Sequence, residues 1–167
     1  MFELKPLSAG AIPAALARAE RYRLLNEASE AESICLDVLA VDPGNQDALV
    51  MLLLALTDQF QSSASADLVS RARDLLPSLR DEYHQAYYAG IICERHAKAV
   101  LAHVSPQSGA TAYEWFRQAM TWYDKAEAVR PAGNDEALLR WNTCARILDR
   151  HRDIRPREDT YEPQFLE

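Results

Sequence analysis

The sequence predicts an all-α chain of about seven helices, and three observations carry that prediction. Only five of the 167 residues are glycine, and the good helix formers Ala, Leu, Arg and Glu dominate. Apolar or small residues recur at Ala31, Ile34, Cys35, Val38 and Leu39, the i, i+3, i+4, i+7, i+8 spacing of a helix that buries one face. Pro43 and Pro77 close two successive stretches of this kind, 34 residues apart, so the helices come in repeated pairs.

Residues 1–10 read as an irregular lead-in. The first helix spans about Ala11 to Leu25, and Pro13 is tolerated in its first turn because the N–H it lacks has no partner there. Asn26 to Ser29 form a turn, and Glu30 to Val41 the second helix. Pro43-Gly44-Asn45 stops it, since proline lacks an N–H and disfavours helical geometry in the residue before it. Asn45 or Asp47 can then cap a third helix over about Gln46 to Gln59. A Ser-rich link, Gln61 to Ser65, precedes a fourth helix from Ala66 to Leu76, which Pro77 ends. The fifth runs from near Arg80 to about His103, a loop follows through Ser105 to Gly109, and the sixth carries Ala119, Tyr123 and Ala126 before Pro131. Asp135 to Arg150 form the last helix, and residues 151–167, with two prolines and many charges, are expected to be extended or disordered.

The 34-residue spacing and the residues around it resemble the tetratricopeptide repeat. The first unit, about 12–45, matches at Ala19, Tyr22, Ala31 and Pro43, while Cys35 and Val38 depart from the usual aromatic and alanine. The second, 46–79, matches at Leu49, Leu52, Ala72 and Pro77, with Leu53 and Leu56 in place of a small residue and tyrosine. The third, 80–133, matches at Tyr83, Ala86, Tyr87, Gly90, Ala119, Tyr123, Ala126 and Pro131, but Pro77 and Pro131 are 54 residues apart. The excess of 20 residues falls between Ile91 and Tyr113 and predicts an enlarged, projecting hairpin. Residues 135–150 then read as a capping helix. The resemblance implies a right-handed α-α superhelix that acts as a non-catalytic protein- or peptide-binding scaffold.

Carried over position by position, the resemblance implies a concave groove made by the first helix of each unit. Glu20, Arg23 and Leu24 would come from helix one, and Asp47, Val50, Leu54 and Asp58 from helix three. Helix five would add His84 and Tyr88, with Ile91 as a further candidate, and helix seven Leu139, Thr143 and Arg146. The family's clamp for C-terminal carboxylates is missing, because Leu16 and Glu20 stand where its lysine and asparagine would be. Two adjacent stripes on helix six, containing Tyr113 and Trp115 with Trp122, make an aromatic face that marks a second contact surface or an oligomer interface.

Charge and motifs narrow the function classes. A net charge of −7 argues against nucleic acid or anionic membrane as the main partner, since both reward clustered Lys and Arg. The N-terminus lacks the pattern of a secretory signal, and the apolar run Ala48 to Leu56 is too short to span a bilayer. Cys35, Cys93 and Cys144 sit singly within helices, as buried thiols of a cytoplasmic protein would. Cys93 and His96 share a helical face, yet no spacing supports a metal site, and no cofactor is expected. Glu94 falls beside an apolar stripe and calls for an ion-pair partner, Arg140 or Lys125. Phosphate-loop, dinucleotide and nucleophile-elbow motifs are all missing, so no enzyme is predicted. A small secretion-type chaperone is the more specific alternative, and a helical metal protein or enzyme the outsider.

Overall fold

The computed structural model describes residues 2–62 and 66–157, and these form helices with no strand. In chain order they are α1 (Ile12–Leu24), α2 (Ala28–Val41), α3 (Gln46–Asp58), α4 (Ala66–Asp74), α5 (Glu82–Ala102), α6 (Ser108–Ala128) and α7 (Glu136–Arg150). The all-α prediction therefore holds, with seven α-helices among the described residues. None of them is long and apolar enough to cross a membrane. The end of the Ser-rich link (63–65) and the end of the tail (158–167) lie outside the described residues.

Local chemistry explains where each helix stops. Asn26 adopts a left-handed φ of 61°, which asparagine tolerates better than most residues. Glu27 N–H donates to the Tyr22 carbonyl (2.9 Å) and Asn26 N–H to that of Arg23 (3.0 Å), a Schellman closure of α1. Asn45 caps α3, its side chain accepting from Ala48 N–H at 2.9 Å, and Asp81 caps α5 by accepting from His84 N–H at 2.8 Å. Helix α4 is shorter than predicted. It ends at Asp74, and Pro77 sits inside a 3-10 turn, Leu76–Ser78, whose early positions do not need its N–H.

Each helix packs on the next from α1 through α7, and α3 also packs on both α1 and α5. Two apolar clusters result. One is built mainly by α1–α4 around Cys35, Leu53, Leu56 and Phe60; the other by α5–α7 around Ile91, Phe116, Tyr123 and Cys144. Leu54 and Tyr88 are half-buried and touch both clusters.

The α5–α6 hairpin is the largest element. Its helices have 21 residues each against 13 in α1 and α3. At about 1.5 Å of rise per residue this makes them roughly 30 Å long, half as long again as their neighbours. Two glycines set its packing. A Cβ on Gly90 would lie 2.4 Å from Cε1 of the fully buried Tyr123 ring, so only glycine lets α5 and α6 meet there. A Cβ on Gly109 would lie 2.2 Å from the Asp153 carbonyl oxygen, because the segment after α7 crosses the start of α6. Ile154, in that segment, is 4% exposed and plugs the second cluster.

Candidate functional site: a groove along the odd-numbered helices

Three clefts follow one another along the face shared by α1, α3, α5 and α7. The first, of about 430 Å³, is lined by Arg23, Leu24, Asp58, Glu94, Arg95, Lys98 and Arg140 among others. The second, about 450 Å³, includes Leu16, Asp47, Val50, His84 and Tyr88. The third, about 490 Å³, includes Tyr83, Tyr87, Glu136 and Leu139. Glu20 belongs to the first and second, and His84 and Tyr88 to the second and third, so the three form one continuous groove. Leu24 and Leu139 stand open at its two ends, 79% and 61% exposed.

Two carboxylates organise the first cleft, and each is shared by two cations. Asp58 accepts from Arg23 Nε at 2.7 Å and from Arg95 Nη1. The same Arg95 nitrogen also donates to the Thr57 hydroxyl (2.8 Å) and the Leu54 carbonyl (3.3 Å), which ties α5 to the end of α3. Glu94 is fully buried. Its Oε2 accepts from the Tyr123 hydroxyl at 2.6 Å, while Oε1 accepts from Lys98 and from Arg140 at 3.3 Å. Burial alone would push the Glu94 carboxyl up; the bonds from Lys98 and Tyr123 and the charges of Lys98 and Arg140 outweigh it and hold it below the ordinary range. Burial together with the Glu94 charge pushes the Tyr123 hydroxyl far up, so it stays a donor. Arg140 is the Glu94 partner foreseen in the sequence, joined by Lys98; Lys125 instead lies over the Trp122 ring, its Nζ 4.2 Å from the centroid.

The other residues singled out in the sequence fall in three places. Glu20, Arg23, Leu24, Asp47, Val50, Asp58, His84, Tyr88 and Leu139 all line the groove. Leu54 lies beneath it, packed between the two clusters, and Ile91 is not a groove residue but is buried in the second cluster. Thr143 hydrogen-bonds back to the Leu139 carbonyl (2.9 Å) and Arg146 is exposed; neither lines these clefts. Arg95 and Lys98 were not anticipated as groove residues. The i, i+4 spacing of Glu94 and Lys98 was the available signal for the second of them.

On the far side of the hairpin the aromatic stripe divides. Tyr113 is half-buried against the second cluster, and Trp115 is held between the His96 ring (centroids 4.4 Å apart) and the Arg73 guanidinium (5.1 Å). Trp122 is 36% exposed. Burial and the nearby Arg73 lower the His96 pKa below its usual 6.5. The unfolded chain then binds a proton that the native state resists, so stability present above pH 6.5 is lost as the pH falls through the folded value. Melting temperature measured from pH 7.5 to 5.5 should therefore fall less in His96→Gln than in the native protein. Identical slopes would remove His96 from the acid response.

Burial pushes the Cys35 thiol up to about 11 and that of Cys144 to about 12, and it raises Cys93 as well, so all three are protonated at neutral pH. All three are free and buried. Among the described residues no group of three or more His, Cys, Asp or Glu side chains is placed to hold a metal ion. No family model matches the sequence, and neither a curated protein nor a solved structure is significantly similar to it.

Proposed function

We propose that this chain is a non-catalytic protein- or peptide-binding scaffold, a tetratricopeptide-like right-handed superhelix whose groove takes an extended or helical segment of a partner. The continuity of the three clefts across α1, α3, α5 and α7, through Glu20, His84 and Tyr88, is the observation that supports this reading most directly. Such a run offers apolar contacts at Leu24, Val50, Tyr88 and Leu139 between charged margins. Peptide recognition in grooves uses that combination, with apolar anchors giving affinity and polar edges giving register. The reading extends to the cytoplasm, where the three buried thiols would stay reduced.

The test separates the groove from the aromatic hairpin. Affinity capture by the native chain is compared with capture by Leu24→Glu/Leu139→Arg and by Trp122→Ala. All three changes are at exposed positions and are expected to leave folding intact. A partner held by the native chain and by Trp122→Ala, but lost at least tenfold by the leucine variant, is the expected result. Loss confined to Trp122→Ala would move the interface to the hairpin and discard the groove.

A further inference from the structure

We infer that the first cleft is the acid-recognising end of the groove, taking two neighbouring Asp or Glu side chains of a bound peptide. This rests on the groove reading above and adds the chemistry of the occupant. The chain as a whole carries a net charge of −7, yet this one cleft gathers four cations against three carboxylates. The third carboxylate, Glu20, stands at the rim and joins none of the ion pairs, so the interior holds two carboxylates and four cations.

Two features make this more than an ion-pair network that closes on itself. The cations are held in place before any ligand arrives: the Arg23 and Arg95 side chains are 18% and 24% exposed, and both are fixed by Asp58. Ordering long basic side chains is a main cost of binding an anion, and here folding has already met it. Their donors are also largely unspent. Arg95 directs all its hydrogen bonds through Nη1, Arg140 meets Glu94 through Nη1 and otherwise interacts only with the Tyr87 hydroxyl, and Arg23 turns Nη1 toward the weak acceptor Met51 Sδ. Guanidinium forks with free N–H groups at the edge of an open cleft suit planar carboxylates, which accept two such bonds at once. Like charges on the rest of the surface would repel an acidic segment, so the cleft also fixes which end of the peptide enters there.

The experiment selects dodecapeptides from a random phage-displayed library on the native protein and measures the winners as synthetic peptides by fluorescence anisotropy. Selected sequences are expected to carry a pair of Asp or Glu residues beside an apolar or aromatic anchor. Replacing that pair by Gln should weaken binding at least tenfold. Arg23→Gln and Arg140→Gln serve as protein variants because each leaves its carboxylate a second cation, Arg95 or Lys98, and so spares the fold. Each should lose at least fivefold for the acidic peptide and little for its Gln form. Glu20→Gln should tighten the acidic peptide two- to threefold, an effect that a purely structural network would not produce. Neutral or basic winners that still compete away on Leu24→Glu/Leu139→Arg would overturn the acidic preference and leave the groove standing. Winners indifferent to every groove variant, or no winners at all, would overturn both.

Discussion

Glu94→Ala is expected to lower the melting temperature at pH 7 by about 5–10 °C. Removing one member of a buried ionic group typically costs about 3–5 kcal/mol, because the remaining partners lose their compensation. Lys98 and Arg140 are each more than one-third exposed and can recover water, which discounts the figure to about 2–3 kcal/mol. For a chain of this length each kcal/mol moves the midpoint by about 2–4 °C. The pH dependence identifies the cause. The Glu94 pKa is held below its usual 4.5 in the folded state, so its contribution is complete above that value and lost as the pH falls through the folded pKa. Native and variant midpoints, followed by circular dichroism, should therefore converge in acid. A constant gap down to pH 3, or a shift under 2 °C at pH 7, would mean that Glu94 is not the electrostatic anchor of the hairpin.

A second large loss is expected from Gly90→Ala, even though alanine is the better helix former by about 1 kcal/mol. The new Cβ meets the Tyr123 ring at 2.4 Å, and that ring is fully enclosed by α5–α7. Overpacking of this kind costs about 1–3 kcal/mol. Displacing the ring also stretches the Tyr123–Glu94 hydrogen bond, whose loss from a buried carboxylate is worth about 1.5–3 kcal/mol. The net destabilisation should be about 2–3 kcal/mol after the propensity gain, read by chemical denaturation. Repeating the substitution on a Tyr123→Leu background separates clash from backbone effects: there Gly90→Ala should be neutral or stabilising. Equal losses on both backgrounds would assign the effect to the backbone.

Most helix boundaries were legible because they rest on local chemistry. Pro43, Asn26 and Asn45 act on their immediate neighbours, and a reader of the sequence needs nothing more to place the ends of α1, α2 and α3. The nine groove-lining residues foreseen in the sequence share the odd-numbered helices, and carrying the repeat's positions over one at a time is what put them on one face. The rest depends on contacts between distant segments. Arg95 belongs to the cleft because α5 crosses the end of α3, bringing it to Asp58 across 37 residues of chain. Ile154 is a single apolar residue in a charged stretch with no period to mark it, so its burial follows only from where α7 ends. Lys125 and Arg140 were equally plausible partners for a buried carboxylate until the packing of α7 brought Arg140 to Glu94 and left Lys125 over Trp122.

The division of the core into two clusters, joined through Leu54, Tyr88, the Arg95 bonds, the packing of α4 on α5 and the α5 residues Ile92 and Ala99 that enter the first cluster, bears on how the molecule opens. Helical stacks held by neighbour contacts exchange their amide hydrogens in cooperative blocks, and a thin seam lets one block open without the other. Amides of α1–α4 and those of α5–α7 should then exchange with two distinct opening free energies. The first cleft draws on both sides of that seam, with Arg23 and Asp58 on one and Glu94 and Arg140 on the other. A ligand seated there would be lost whenever either block opened. Binding would therefore lift the protection of the weaker block toward that of the stronger, and the two exchange tiers would merge into one.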